Sequence, residues 1–245
     1  MIKFKDINKI ENRNKDRVFE YIGNIKKEDD TRPLRILDVG GGINSWLNPH
    51  VTHIIDGFNS ETAKDNITLF NFDLDDNDAW QEVFKDVEEN GKFDFVSSTH
   101  TLEDLNSPVF SCMAMNKIAN AGYIAVPSKY AEFARFERCY ATKYAYKGYH
   151  HHRWVYTLEN DVFTGYPKQG SIEYATLSEM NGKDPDPNIA QSTEIEFLWE
   201  ENFEFDLMPP WSLIHAAPPK NAVMMNNLVQ KDDLSWDRLL QNIGK

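Results

Sequence analysis

A chain of 245 residues that is 41% hydrophobic, 13% aromatic and 27% charged has the composition of an ordinary globular protein, with enough apolar material for one large α/β domain. Its formal net charge of −13 would repel a polyphosphate backbone, so nucleic acid is not an expected partner. No stretch reaches the roughly 18 apolar residues of a membrane span. Residues 1–6 have no apolar leader core, and Cys112 and Cys139 fit neither a disulfide framework nor a zinc motif, so a cytoplasmic protein is expected.

Val18, Phe19, Ile22 and Ile25 recur at helical spacing, which predicts a lead-in helix over residues 14–27 that the charged run to residue 30 ends. The apolar run at 33–39, stopped by Gly40, Gly41 and Gly42, predicts a buried parallel strand. Further strands are predicted at 51–56, closed by Gly57, and at 68–73. Trp80, Val83, Phe84 and Val87 then mark one apolar helix face, ended by Gly91. A fourth strand is predicted at 93–98. Ser107 reads as an N-cap with Pro108 in the first turn of a helix to about Ala119, and a fifth strand follows at 123–126.

This alternation predicts a Rossmann-like doubly wound α/β sheet, mostly parallel, within a single domain of residues 1–245. Only residues 43–48 and 58–67 join the first three strands, so the helices on one face should be shortened. Ile195, Phe197 and Trp199 alternate with weaker neighbours, as do Phe203, Phe205 and Leu207, which predicts an antiparallel hairpin closing the sheet. Residues 129–190, rich in Tyr, Lys, His, Pro and Gly, break the pattern and are expected to form an insertion over the sheet edge, on the substrate side.

In doubly wound sheets, ligands bind beyond the carboxyl ends of the strands. Here the first strand ends in Asp38 and three glycines, whose missing side chains let backbone approach a ligand. Asp56 ends the second strand, where a carboxylate can accept both hydroxyls of a ribose; it can equally be a turn aspartate before Gly57. Asp73 can accept from an adenine amino group, or be a loop carboxylate beside Asp75 and Asp76.

Leu37-Asp38-Val39-Gly40-Gly41-Gly42, Asp56, Asp73-Leu74 and the run Phe93-Asp94-Phe95-Val96-Ser97-Ser98-Thr99-His100-Thr101-Leu102-Glu103-Asp104 together resemble the class I S-adenosylmethionine-dependent methyltransferase family, of the small-molecule, type-11-like kind. Leu102-Glu103-Asp104 stands where that family usually has Leu-Glu-His, and Asn44 where it often has a small residue. The resemblance implies S-adenosylmethionine as cofactor, bound around Asp38, Gly40, Gly41, Gly42, Asp56, Gly57, Phe58, Asp73, Leu74, Ser98, Thr99 and His100. A nicotinamide dinucleotide enzyme is the rival on the same sheet. It needs a well-formed helix N-terminus for its pyrophosphate, and Asp38 beside the glycines would repel that group. A catalytically silent, nucleoside-binding partner subunit is the alternative from another class.

On the acceptor side, Tyr146, Tyr149, His150, His151, His152 and Arg153 concentrate phenol, imidazole and guanidinium. Three readings stay open for the histidines. The first is an exposed loop entering a strand at Trp154. The second is a metal site, disfavoured because consecutive histidines point different ways on a strand and no third ligand stands at motif spacing. The third is a substrate site with His151 or His152 as base and Arg153 on an anionic or sugar group. His100 can face cofactor or substrate, or be a helix-start histidine satisfied by backbone. Residues 126–132 and 148–154 resemble a subgroup of bacterial methyltransferase-like proteins linked to surface-polysaccharide or other small-metabolite pathways. That likeness implies that Glu132 and Glu137 join the histidines. The expected activity is methyl transfer to a small polar metabolite or glycan precursor. After the rigid Met208-Pro209-Pro210 loop, Trp211 and His215 can line the pocket or pack.

Overall fold

The computed structural model describes residues 2–8, 15–28, 32–42, 44–57, 66–128, 132, 136–138, 145–147, 149, 151–168 and 194–207. Its elements in chain order are β1 Ile2–Asn8, α1 Lys15–Glu28, β2 Ile36–Val39, β3 His53–Ile55, β4 Thr68–Phe70, α2 Gln81–Asn90, β5 Phe95–Thr99, α3 Pro108–Ile118, β6 Ala121–Pro127, β7 Phe136–Arg138, β8 Ala145–Lys147, β9 Trp154–Glu159, β10 Val162–Pro167, β11 Glu194–Glu200 and β12 Glu204–Leu207. Among the described residues, no helix is long and apolar enough to cross a membrane.

The main sheet has seven strands in the order β1-β11-β6-β5-β2-β3-β4. β2 to β6 are mutually parallel, and β11 enters antiparallel between β6 and β1. From β2 the chain builds outward through β3 and β4, then returns to β5 on the other side of β2. That reversal puts the topological switch point between β2 and β5, where doubly wound folds open a crevice.

Every central strand is apolar toward both sides, as a covered parallel sheet requires. Leu37, Val39, Ile55, Val96, Ile124 and Val126 join α3 residues such as Cys112 and Met115 in one core. Their neighbours Ile36, Ile54, Phe95, Tyr123 and Ala125 join Val18 and Ile22 of α1 in the other. Residues 44 and 46–50 are turns, with Leu47 buried in that second core, so the shortened face is covered by α1 and a compact crossover.

Three features differ from the sequence reading. β1 was not anticipated, yet it pairs along β11 from Ile2 to Asn8. The expected hairpin of β11 and β12 does not form: both edges of β11 are taken by β1 and β6, and β12 instead pairs parallel with β10 in a separate three-stranded sheet, β12-β10-β9. That sheet does not hang over an edge. Phe163 stacks on Tyr156 at 4.7 Å and lies 5.3 Å from Phe197 of β11, which packs β9 and β10 against the face of the main sheet.

Candidate functional site

The glycine turn after β2 is shaped by what lies around it. Gly40 has φ +76°, donates its N–H to Ile55 O at 2.8 Å, and a Cβ there would overlap Thr101. A Cβ on Gly41 would overlap the Asp38 carboxylate. Asp38 itself is fully buried beneath the turn and accepts from Ser45 Oγ at 2.5 Å, while Ser45 Oγ accepts from Leu47 N at 3.1 Å. Asp38 therefore fastens the crossover to the end of β2.

Beyond the carboxyl ends of β2, β3, β4 and β5 lies a cleft lined by Gly40, Asp56, Gly57, Asp73, Leu74, His100, Thr101, Asp104 and Leu105. Six of the residues expected to hold a cofactor meet here: Gly40, Asp56, Gly57, Asp73, Leu74 and His100. Asp38, Gly41, Gly42, Ser98 and Thr99 do not line it; Ser98 and Thr99 are buried in β5. Phe58 lies outside the described residues. Thr101, Asp104 and Leu105 were missed, although their place just past the fourth strand was the available signal.

Asp73 Oδ1 accepts from Asp75 N at 3.0 Å, and Asp75 bonds Asn106 N and Ser107 N at 2.8 and 2.9 Å. The loop after β4 is thereby tied to the entry of α3. His100, at φ +51°, is not a helix-start residue: its N–H donates to Ala125 O, and its ring bridges Glu103 at 3.3 Å and Glu194 of β11. Burial opposes a charged imidazolium, but hydrogen bonds and charge from the two buried glutamates outweigh it and raise its pKa to about 9. Both ring nitrogens are engaged, so His100 is a wall group and not a free base.

The histidine segment is clamped to the same loop. Arg153 N donates to Glu103 O at 2.7 Å, Trp154 Nε1 to Leu105 O at 2.8 Å and Tyr156 OH to Leu102 O at 2.9 Å. This brings His151 Nε2 to 3.9 Å from Asp104 Oδ1. His152 is buried with Nδ1 hydrogen-bonded to Glu132 Oε1 at 2.5 Å; the other Glu132 oxygen takes Lys168 Nζ at 2.8 Å, which also donates to Tyr149 O. Tyr149 packs on His152 with ring centroids 4.4 Å apart, and Arg153 bonds the side chain of Asn106. Lys168 was not anticipated, being remote in sequence from the motif it completes. Tyr146 and Glu137 lie in β8 and β7, and their side chains, like His150, Trp211 and His215, lie outside the described structure.

The donor set fits a nucleoside carrying positive charge. Two strand-end carboxylates, Asp56 and Asp73, stand with Asp104 against a single cationic group, His100, a balance that disfavours a diphosphate.

No protein-family profile matches the chain, and no curated protein is significantly similar to it. Among solved structures it is similar to an S-adenosylmethionine-dependent methyltransferase from Clostridium acetobutylicum, with 11% identity over 75% of this chain and 90% of that one at a TM-score of 0.37. One from Mesorhizobium loti gives 13% identity over 73% and 96% at 0.34. The N-terminal domain of EvdMO1, solved in the presence of SAH and D-fucose, gives 13% over 74% and 81% at 0.36. Strand order, and not these distant alignments, carries the fold assignment: five parallel strands reversing at β2, one antiparallel strand and a cleft at the reversal make this a Rossmann-like doubly wound α/β fold.

Proposed function

We propose that this chain transfers a methyl group from S-adenosylmethionine to a small polar metabolite or glycan precursor. The observation that carries this reading is the cleft at the switch point, where Gly40, Asp56 and Asp73 meet at the ends of three adjacent parallel strands, with the histidine segment on its rim. S-adenosylmethionine supplies a methyl carbon on a positively charged sulfur. Asp56 accepts the ribose hydroxyls, Asp73 takes the adenine side, and the acidic lining favours the ammonium and sulfonium charges.

Positioning supplies most of the rate in such a displacement, and a hydroxyl acceptor must also lose its proton. His151 and His152 stand where an imidazole can take that proton, with His152 held in one orientation by Glu132. Arg153 is exposed at the rim, where a guanidinium suits an anionic or sugar oxygen. A dinucleotide is disfavoured because, among the described residues after the glycines, 44 and 46–50 form turns and offer no helix N-terminus for a pyrophosphate.

Calorimetry with S-adenosylmethionine and S-adenosylhomocysteine tests this; a folded sample that binds neither sinks it. Asp56→Ala is expected to weaken binding by about tenfold to a hundredfold, since it removes charge-assisted hydrogen bonds. His151→Ala is expected to leave cofactor binding within about threefold while lowering turnover by about a hundredfold or more. Binding without turnover on any acceptor would instead favour a nucleoside-binding partner subunit.

A further inference from the structure

We propose that Asp104, His151 and His152 form a binding site for one divalent transition-metal ion at the mouth of the cleft. Each offers a ligand atom, and the three atoms lie within 4.8 Å of one another. The objection that consecutive histidines diverge holds for a strand, but residues 151–153 precede β9 and are not extended in the sheet. Here the two imidazoles converge, with ring centroids 4.5 Å apart and planes at 78°. The third ligand that local spacing could not supply comes from the loop after β5, carried there by the bonds from Arg153, Trp154 and Tyr156 to residues 102–105.

Two imidazoles and a carboxylate match ions such as zinc, iron(II) or manganese(II). At bond lengths of about 2.0–2.2 Å the ligand atoms must close to roughly 3–4 Å. Asp104 and His151 can do this by side-chain rotation, being 45% and 64% exposed, while His152 is 6% exposed and fixed.

Independent support comes from behind the cluster. His152 Nδ1 is bonded to the fully buried Glu132, which leaves the other ring nitrogen for an ion. A carboxylate on the far side of a ligating imidazole is the usual outer partner of a metal histidine. Lys168 balances the charge of Glu132, with its Nζ 2.8 Å from the other carboxylate oxygen. An imidazole that must present one ring nitrogen to an ion accounts for this buried Glu132–Lys168–His152 arrangement.

Three protein ligands leave coordination positions open, and Asp104 lines the cleft, so an ion here faces the acceptor. It would hold a hydroxyl of a vicinal or hydroxy-carbonyl oxygen pair and lower its pKa, the proton leaving to water at the open rim. This use of the ion rests on the methyltransferase reading, although the site itself does not. When the ion is bound, the imidazoles are ligands and not bases.

The test is titration of the full, chelator-treated chain with Co2+, followed by visible ligand-field absorption, and with Zn2+ by calorimetry. One ion per chain is expected. Asp104→Asn and His151→Ala, both at exposed positions, should each weaken it by more than about tenfold, and Glu132→Gln by about tenfold to a hundredfold. Thermal unfolding of each variant checks that the fold is kept. No ion bound by the full chain, or unchanged affinity in the two exposed variants, overturns the site. S-adenosylhomocysteine calorimetry on the same samples separates the two readings: nucleoside binding without metal binding removes only the metal site, and metal binding without nucleoside binding removes only the methyltransferase reading.

Discussion

At the scale of single residues, the shape of the cleft depends on groups packed behind its lining as well as on those in it. Gly41 has no room for a methyl group because Asp38 folds beneath it, so Gly41→Ala is expected to cost about 1–3 kcal/mol in chemical denaturation through overpacking, with loss of nucleoside affinity. The glycines and Asp38 were legible as a turn at a strand end. The direction of the Asp38 carboxylate was not, because only the folded crossover brings Ser45 to it. His100 makes a pH-dependent contribution of known sign. Its folded pKa of about 9 lies above the ordinary 6.5, so its stabilisation is fully present below about pH 6.5 and is lost as pH rises through about 9. Denaturation midpoints should therefore fall over that window, by up to about 3 kcal/mol of unfolding free energy at full separation of the two pKa values. In His100→Gln the fall should vanish, and the variant should be less stable than the parent at pH 6.5; an undiminished fall would show that another group titrates.

At the scale of elements, periodicity located α1, α2 and α3 closely, since amphipathic spacing and Gly or Pro boundaries are local signals. The cap of α3 was not local. Ser107 occupies the N-cap position without a side-chain cap bond, while Asp75, 32 residues earlier, bonds the Ser107 and Asn106 amides and the Asn106 side chain. Asp75→Ala is accordingly expected to cost about 1–2 kcal/mol, and Ser107→Ala a few tenths at most, in thermal or urea unfolding. Equal costs would mean that Ser107 caps the helix in solution. Because Asp73 bonds its neighbour Asp75, the first variant should also loosen the Asp73 side of the cleft and, on the proposed function, weaken S-adenosylhomocysteine binding.

At the scale of the whole molecule, the second sheet is held on the first by aromatic packing. Phe163 is fully buried between Tyr156 and Phe197, so Phe163→Ala is expected to cost about 3–5 kcal/mol, and it should release β9 and the histidine segment from the loop at 102–105. Hydrogen exchange over residues 151–168 would report that release. Removing residues 1–8 should expose an edge of β11 to pairing with other chains, read as oligomer formation by light scattering; a monodisperse product would mean that edge is protected otherwise.

The sequence by itself determined the parallel sheet, its crossover pattern, and the strand-end groups Gly40, Asp56, Asp73 and His100, because burial on both faces and polar strand ends are written in consecutive residues. Only the tertiary structure decided the partner of β11, the place of β12, the burial of Asp38 and the meeting of Asp104 with His151 and His152. Each of those depends on which distant segment fills a given edge or face, and packing competition across the whole chain settles that where local pattern has no reach.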